Sequence, residues 1–331
     1  MTTRRRIFKG GRVFTADAEN PWADAIVVED DRIVFVGEAQ AAAAMAGDDA
    51  ERIEVDGGLV LPGFVDGHVH VTLTGSAMLK AYLRDADSVE EIQRRVKTWA
   101  DENPDAPRVL GTDWIHSVLP NNKPTKEMLD AVVSDRPVYL EAFDFHSNWV
   151  NSAALEELGI DNDTPDPVGG TIARDPRTGE ATGHLLESAS FELVGPLLAH
   201  VTDDVRDGYV SSALEAFARA GITTVVEMAL EEDALESIAR LQAAGKLTVR
   251  VVAHMIIWRK GNSAEELELV KRAAELAKEY QGDWLRVGGV KIIGDGSIDA
   301  CTAALSKPYT NGSSSDPIWA PEALDPIVEA A

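Results

Sequence analysis

Positive charge is scarce in this 331-residue chain. Thirty-one lysines and arginines stand against 56 aspartates and glutamates, which leaves a net charge of −25 at pH 7. A balance this acidic makes nucleic acid and anionic membrane surfaces poor partners; a solvated acidic surface accounts for it. Cysteine is almost absent. Cys301 stands alone, so an intrachain disulfide is excluded and a reducing compartment fits. No apolar run approaches the roughly 18 residues of a membrane span. The opening residues Met1 to Lys9 carry three arginines with no apolar core behind them, so no signal peptide is expected and the cytoplasm is the default location. Histidine is missing from the last part of the chain: all seven lie at or before His254.

What is present is ordinary for a globular protein: 45% hydrophobic and 26% charged residues, in a chain long enough for one to three domains. Residues 7 to 60 are β-rich, with short strands at Arg12–Thr15, Ala25–Val28 and Arg32–Val36 and a hairpin turn at Glu29-Asp30-Asp31. An alanine-rich helix is expected over Ala39–Ala46. Residues 71 to 200 are mixed. Ser88 followed by Glu91 reads as a capping box that opens a helix to Ala100. Strands are expected near Arg108–Gly111 and Pro137–Leu140, a helix over Asn151–Leu158, and a turn at Arg174–Gly179. From residue 202 the pattern alternates regularly. Helices are expected over 202–220, 233–244 and 264–280, and strands over 222–226, 248–257 and 287–293. That alternation is the mark of βαβ units on a parallel sheet.

The strand expected over residues 60–66 leads into Gly63-Phe64-Val65-Asp66-Gly67-His68-Val69-His70. Side chains on a strand alternate faces, so His68 and His70 point the same way. Two imidazoles on one side of a strand end can grip one metal ion. A hydrolytic site needs further ligands and a carboxylate to handle protons. Read alone, the pair is equally two hydrogen-bonded histidines at a strand end. This strand and the three later ones make four parallel strands, where a closed barrel of this kind needs eight.

Leu61-Pro62-Gly63-Phe64-Val65-Asp66-Gly67-His68-Val69-His70 closely resembles the first barrel strand of the amidohydrolase superfamily. Residues 10–15 and 26–33 resemble the small β-domain that opens such chains. Residues 146–155, 175–183, 221–224 and 290–297 are similar to the amidohydrolase-3 branch, which includes YtcJ-like proteins and N-substituted formamide deformylases. The resemblance implies an α/β fold: part of a metal-dependent-hydrolase TIM barrel, about four of eight strands. It also implies an N-terminal β-sandwich portion over 1–58, a barrel domain over 59–331 and an α+β insertion at about 76–200.

The resemblance makes His68, His70 and Lys291 ligands of one or two divalent ions, zinc being expected. Lys291 can be carboxylated by CO2 in such enzymes, which requires a neutral amine; a lysine paired with nearby Asp295 is the alternative. Pocket candidates at loops and strand ends are Asp113, Trp114, His146, Asn151, Glu227, Asp295 and Ser297, although His146 and Asn151 more often hold a local turn. Asn148 lies beside them. His254 is expected to be structural or to line the pocket, and Cys301 has no flanking base.

Family members are longer. The resemblance places two further histidines and a general-base aspartate on later strands, and nothing after Lys291 fills those roles. Asp316 and Asp325 lie in a loop and an early helix. The chain is therefore expected to be the N-terminal part of a longer enzyme, with an incomplete reading frame, a boundary set by design, or a half-barrel completed as a homo-oligomer as the accounts. The expected function is hydrolysis of a non-peptide C–N bond in a small-molecule substrate by metal-activated water, with little activity in this piece alone. The alternatives are a non-catalytic remnant that acts through partner binding and an unrelated α/β barrel with structural histidines.

Overall fold

A computed structural model describes residues 4–331 apart from 145, 200, 297, 299–302, 311 and 313. The chain parts into two compact units, Met1–Val65 and Asp66–Ala331. In the first, strand Arg5–Lys9 lies between its antiparallel neighbour Ala25–Glu29 and its parallel neighbour Glu51–Glu54. Ala25–Glu29 pairs in turn with Arg32–Gly37, and the hairpin between them turns at Asp30, whose φ of 52° is left-handed. Helix Ala39–Ala46 covers this sheet, and Ile7, Ala25, Val27, Ala42 and Ala46 form its core. A second small sheet joins Arg12–Phe14 to Trp22–Ala23 and Leu59–Val60.

The histidine strand starts later than the sequence pattern suggests. Residues 59–60 form their own short strand, and the strand that carries His68 runs from Phe64 to Val69. Pro62 explains the break: it offers no N–H to a ladder. His70 then sits at the N-cap of helix Val71–Met78.

Strand Phe64–Val69 is one edge of a four-stranded sheet, followed in order by Ile222–Leu230, Arg250–Ile257 and Leu285–Ile292. The last three run parallel. Helix Glu232–Ala243 connects the first two of these and helix Ser263–Glu279 the next two, as the alternation requires. One face of the sheet is packed: Val69, Val225, Val251, Ala253, Met255, Leu285 and Val287 meet Val210, Leu214, Leu235, Ile238 and Leu276 of the helices. Burying one such side chain contributes about 1.5–3 kcal/mol, so this cluster is the main reason the sheet is held. Among the described residues the sheet stays open and no closed barrel forms.

A six-stranded sheet occupies residues 81–187, in the order Gly170–Arg174, Ala181–Glu187, Ser147–Val150, Val138–Ala142, Val109–Trp114, Ala81–Tyr82. Helix Val89–Glu102 covers one face with Ile92, Val96 and Ala100. It is capped as expected, with Ser88 Oγ accepting from Glu91 N at 3.3 Å. On the other face Tyr139, Val150, Ile172 and Leu185 pack against Val194, Leu193 and Leu198. No helix among the described residues is long and apolar enough to cross a membrane.

Candidate metal centre

The two histidines share a face because their neighbour faces the other way. Val69 is buried in the helix-packed core, so His68 and His70 lie on the opposite side of the strand. Their rings stand edge to face with centroids 5.4 Å apart. His68 is exposed and His70 is half-buried.

Glu227 fixes the His70 ring. It stands towards the end of strand Ile222–Leu230 and is 2% exposed. Its Oε2 accepts from Val71 N, and its Oε1 accepts from Ala229 N at 2.9 Å. Oε1 also lies 3.4 Å from His70 Nδ1. An ionised carboxylate only accepts, so this contact puts the imidazole proton on Nδ1 and leaves the Nε2 lone pair open. Metal-bound histidines are held in the same way, by a carboxylate on the ring nitrogen remote from the ion. With three donors upon it, Glu227 is an orienting group and is poorly placed to take a proton from water.

Lys291 lies on the face that His68 and His70 occupy. Its strand neighbours Val290 and Ile292 pack into apolar clusters on the helix side, which turns Lys291 the other way. It is partly buried and aligned with Ile256. His254 shares this face, opposite helix-packed Ala253 and Met255. Its ring lies over the backbone of Gly288 and Gly289; a Cβ on Gly289 would stand 2.9 Å from His254 Cδ2. His254 Nδ1 is buried and has no hydrogen-bond partner among the described residues.

Beside His70 and Glu227 a pocket of about 520 Å³ opens, walled by Leu73, Tyr209, Leu230 and Trp258. At its rim Arg206 pairs with Asp233, and Trp258 Nε1 donates to Glu231 at 3.0 Å. The wall is drawn close where helix Val71–Met78 crosses helix Asp203–Arg219: a Cβ on Gly75 would stand 1.7 Å from Tyr209 O. Only glycine allows that approach.

The donor set fits a divalent cation in part. Two imidazoles are on one face, one of them oriented, and a third donor is available on that face in Lys291. Among the described residues no group of three or more His, Cys, Asp or Glu side chains is gathered to hold an ion.

The other described sequence candidates do not join this cluster. Asp113 and Trp114 lie in the six-stranded sheet. Trp114 is fully buried, donates to Leu140 O at 2.8 Å and packs against Trp149 and His116, so it is a core residue and leaves the pocket set. Asp113 has a left-handed φ of 68° at a bulge in strand Val109–Trp114. Asn151 also leaves the pocket set. Its buried side chain caps helix Ser152–Glu157, accepts from Val138 N and Ala154 N, and donates to Val133 O and Arg136 O, so it has no capacity left for a ligand. His146 is exposed and pairs with Glu187 at 2.8 Å. Asp295 accepts from Ala304 N at 2.9 Å and makes no ion pair with Lys291 among the described residues. Ser297 and Cys301 lie outside the described residues.

A further histidine pair lies at the six-stranded sheet: His116 and His184, with ring centroids 5.5 Å apart. Ser147 Oγ is 3.1 Å from His116 Nε2. Burial, then His116, pushes His184 down to about 4. No local pattern joins these residues, which only strand pairing brings together.

The sequence profile of the amidohydrolase family matches residues 51–331. The chain belongs to the amidohydrolase family. It is 29% identical to the putative amidohydrolase YtcJ of Bacillus subtilis, over 94% of this chain and 58% of that protein. It is 31% identical to the N-substituted formamide deformylase of Arthrobacter pascens, over 71% of this chain and 44% of that protein. The chain thus spans about half the length of these curated relatives. Among solved structures it resembles an uncharacterised metal-dependent hydrolase of Pyrococcus horikoshii, with a TM-score of 0.76 and 26% identity over 99% of this chain and 62% of that one. The strand bearing His68 and His70, the Lys291 strand and the intervening alternation all fall inside the matched amidohydrolase region.

Proposed function

We propose that this chain supplies the metal-holding end of a hydrolase that cleaves a non-peptide C–N bond, in an amide, a formamide or a related carbonyl compound. The observation that carries the reading is the imidazole pair with one ring oriented: His68 and His70 on one face of a strand end, with buried Glu227 on His70 Nδ1. The named activity of the formamide deformylase and the metal dependence of the Pyrococcus hydrolase point in the same direction. His68 and His70 would hold a divalent ion, zinc by the preference of imidazole donors, with Lys291, free or carboxylated, as a third donor. Such an ion polarises a carbonyl and lowers the pKa of water. The arrangement is read as one end of a (β/α)8 barrel, with the open face of the four-stranded sheet as its interior.

The chain's own residues divide the remaining work. Glu227 holds the His70 proton on Nδ1. Leu73, Tyr209 and Trp258 offer an apolar wall that excludes water from a bound substrate. The proton-accepting carboxylate is not assigned to any described residue.

The test is an assay of zinc- and manganese-loaded protein, both as this chain and as a chain extended to the length of its relatives, against N-acyl and N-formyl amines, with His68→Ala alongside in each. Turnover that depends on His68 supports the proposal. Turnover untouched by that change would refute it.

A further inference from the structure

The six-stranded sheet holds a second cavity, of about 390 Å³, between its strands and the segment from Ser190 to Leu198. Its polar lining is unusual in what it leaves unmade. Glu141 and Asn148 are directly opposed across the antiparallel strands Val138–Ala142 and Ser147–Val150, so their side chains stand together on the cavity face. Lys80, at the head of strand Ala81–Tyr82, lines the same cavity. Among the described residues neither the Glu141 carboxyl nor the Lys80 ammonium has a hydrogen bond or an ion pair.

Asn148 is 6% exposed. Its Nδ2 donates to Ser190 Oγ at 2.7 Å, but its Oδ1 is buried with no partner among the described residues. Burial raises the Glu141 carboxyl above its usual range, and Lys80 opposes this only in part. Buried polar groups are normally satisfied, and each one left alone needs a reason. Here the amide oxygen is buried and unpaired among the described residues, and a half-buried acid and a half-buried base without hydrogen bonds stand around the same space.

We propose that this cavity binds a small zwitterion, an α-amino acid or a close analogue. The pattern selects that class. A lone anion would satisfy Lys80 and leave the carboxyl and the amide oxygen unpaired; a lone cation would do the reverse. A molecule with an ammonium and a carboxylate one carbon apart answers both. Its ammonium donates to Glu141 and to Asn148 Oδ1. Its carboxylate accepts from Lys80 and from the Ser190 hydroxyl, whose proton is free because its oxygen already accepts from Asn148. Leu110, Val194 and Leu198 complete the lining and favour a short apolar side chain. The proposal goes beyond the hydrolase reading and stands on separate residues, so either can fail alone.

The test is calorimetric titration and thermal melting of the full chain with glycine, alanine and leucine, beside acetate and propylamine as single-charge controls. Saturable binding of at least one amino acid, with a raised melting temperature, is expected. Glu141→Gln and Lys80→Gln should each weaken it at least tenfold while the ligand-free melting curve shows both variants folded. No binding of any amino acid at 10-millimolar order, equal binding of acetate or propylamine, or unchanged affinity in folded Glu141→Gln would each overturn the proposal.

Discussion

Replacing Glu227 with alanine would remove a buried group that ties the histidine strand end to its neighbour. The carboxylate is 2% exposed and accepts from Val71 N, Ala229 N and the His70 ring. Alanine leaves two backbone N–H groups without their acceptor. Each costs about 1–3 kcal/mol when stranded in a buried setting. Water entering the space left behind recovers a part, so about 2–4 kcal/mol of local stability is lost. At about 1.4 kcal/mol per tenfold, amide exchange at Val71 and Ala229 should speed up by roughly 30- to 700-fold. The assay is hydrogen–deuterium exchange read on peptides covering residues 66–75 and 224–232. Divalent-ion affinity should fall by about 10–100-fold in the same variant, the usual effect of losing a carboxylate behind a ligating histidine. Exchange unchanged at both amides would show that the contacts are not formed in solution and that the orienting role is wrong.

Asn151→Ala removes four hydrogen bonds, one of them a helix cap, and should cost about 3–5 kcal/mol. A clearly lower melting temperature is expected, and a change within error would contradict the local account of this residue. Burial, then the neighbouring His116, pushes His184 down from 6.5 to about 4 in the folded chain. The unfolded chain therefore takes up the proton first, and stability falls as pH drops from about 6.5 to about 4, by about 3 kcal/mol at most. His184→Phe should flatten that stretch of the melting-temperature profile. Gly75→Ala places a methyl against Tyr209 O and should cost about 1–3 kcal/mol of overpacking, read as a lower melting temperature.

Much of the fold was legible because it rests on local chemistry. Ser88 and Glu91 announce a helix start that the structure forms with the expected bond. The alternation after residue 202 yields three parallel strands joined by two helices; their boundaries shift by a residue or two, except that the first strand runs four residues further, to Leu230. Strand Ser147–Val150 escaped because its residues are buried on both faces and show no alternation. At the candidate site, the shared face of His68 and His70 follows from strand geometry alone, as does the outward turn of Val69. The part that Glu227 plays does not: its carboxylate reaches His70 across two strands that only the sheet brings side by side. Trp114 misled for a physical reason. An acid and an aromatic in sequence look like a pocket edge, yet the indole N–H finds a backbone carbonyl and the ring sinks into the core.

The central claim is that His68 and His70 together hold a divalent ion. Its most direct test is the stoichiometry and affinity of zinc for this chain, measured by titration beside the His68→Ala/His70→Ala double variant with folding checked by melting. The account predicts saturable binding by the parent chain and its loss in the double variant. Equal zinc binding by the two proteins would contradict it.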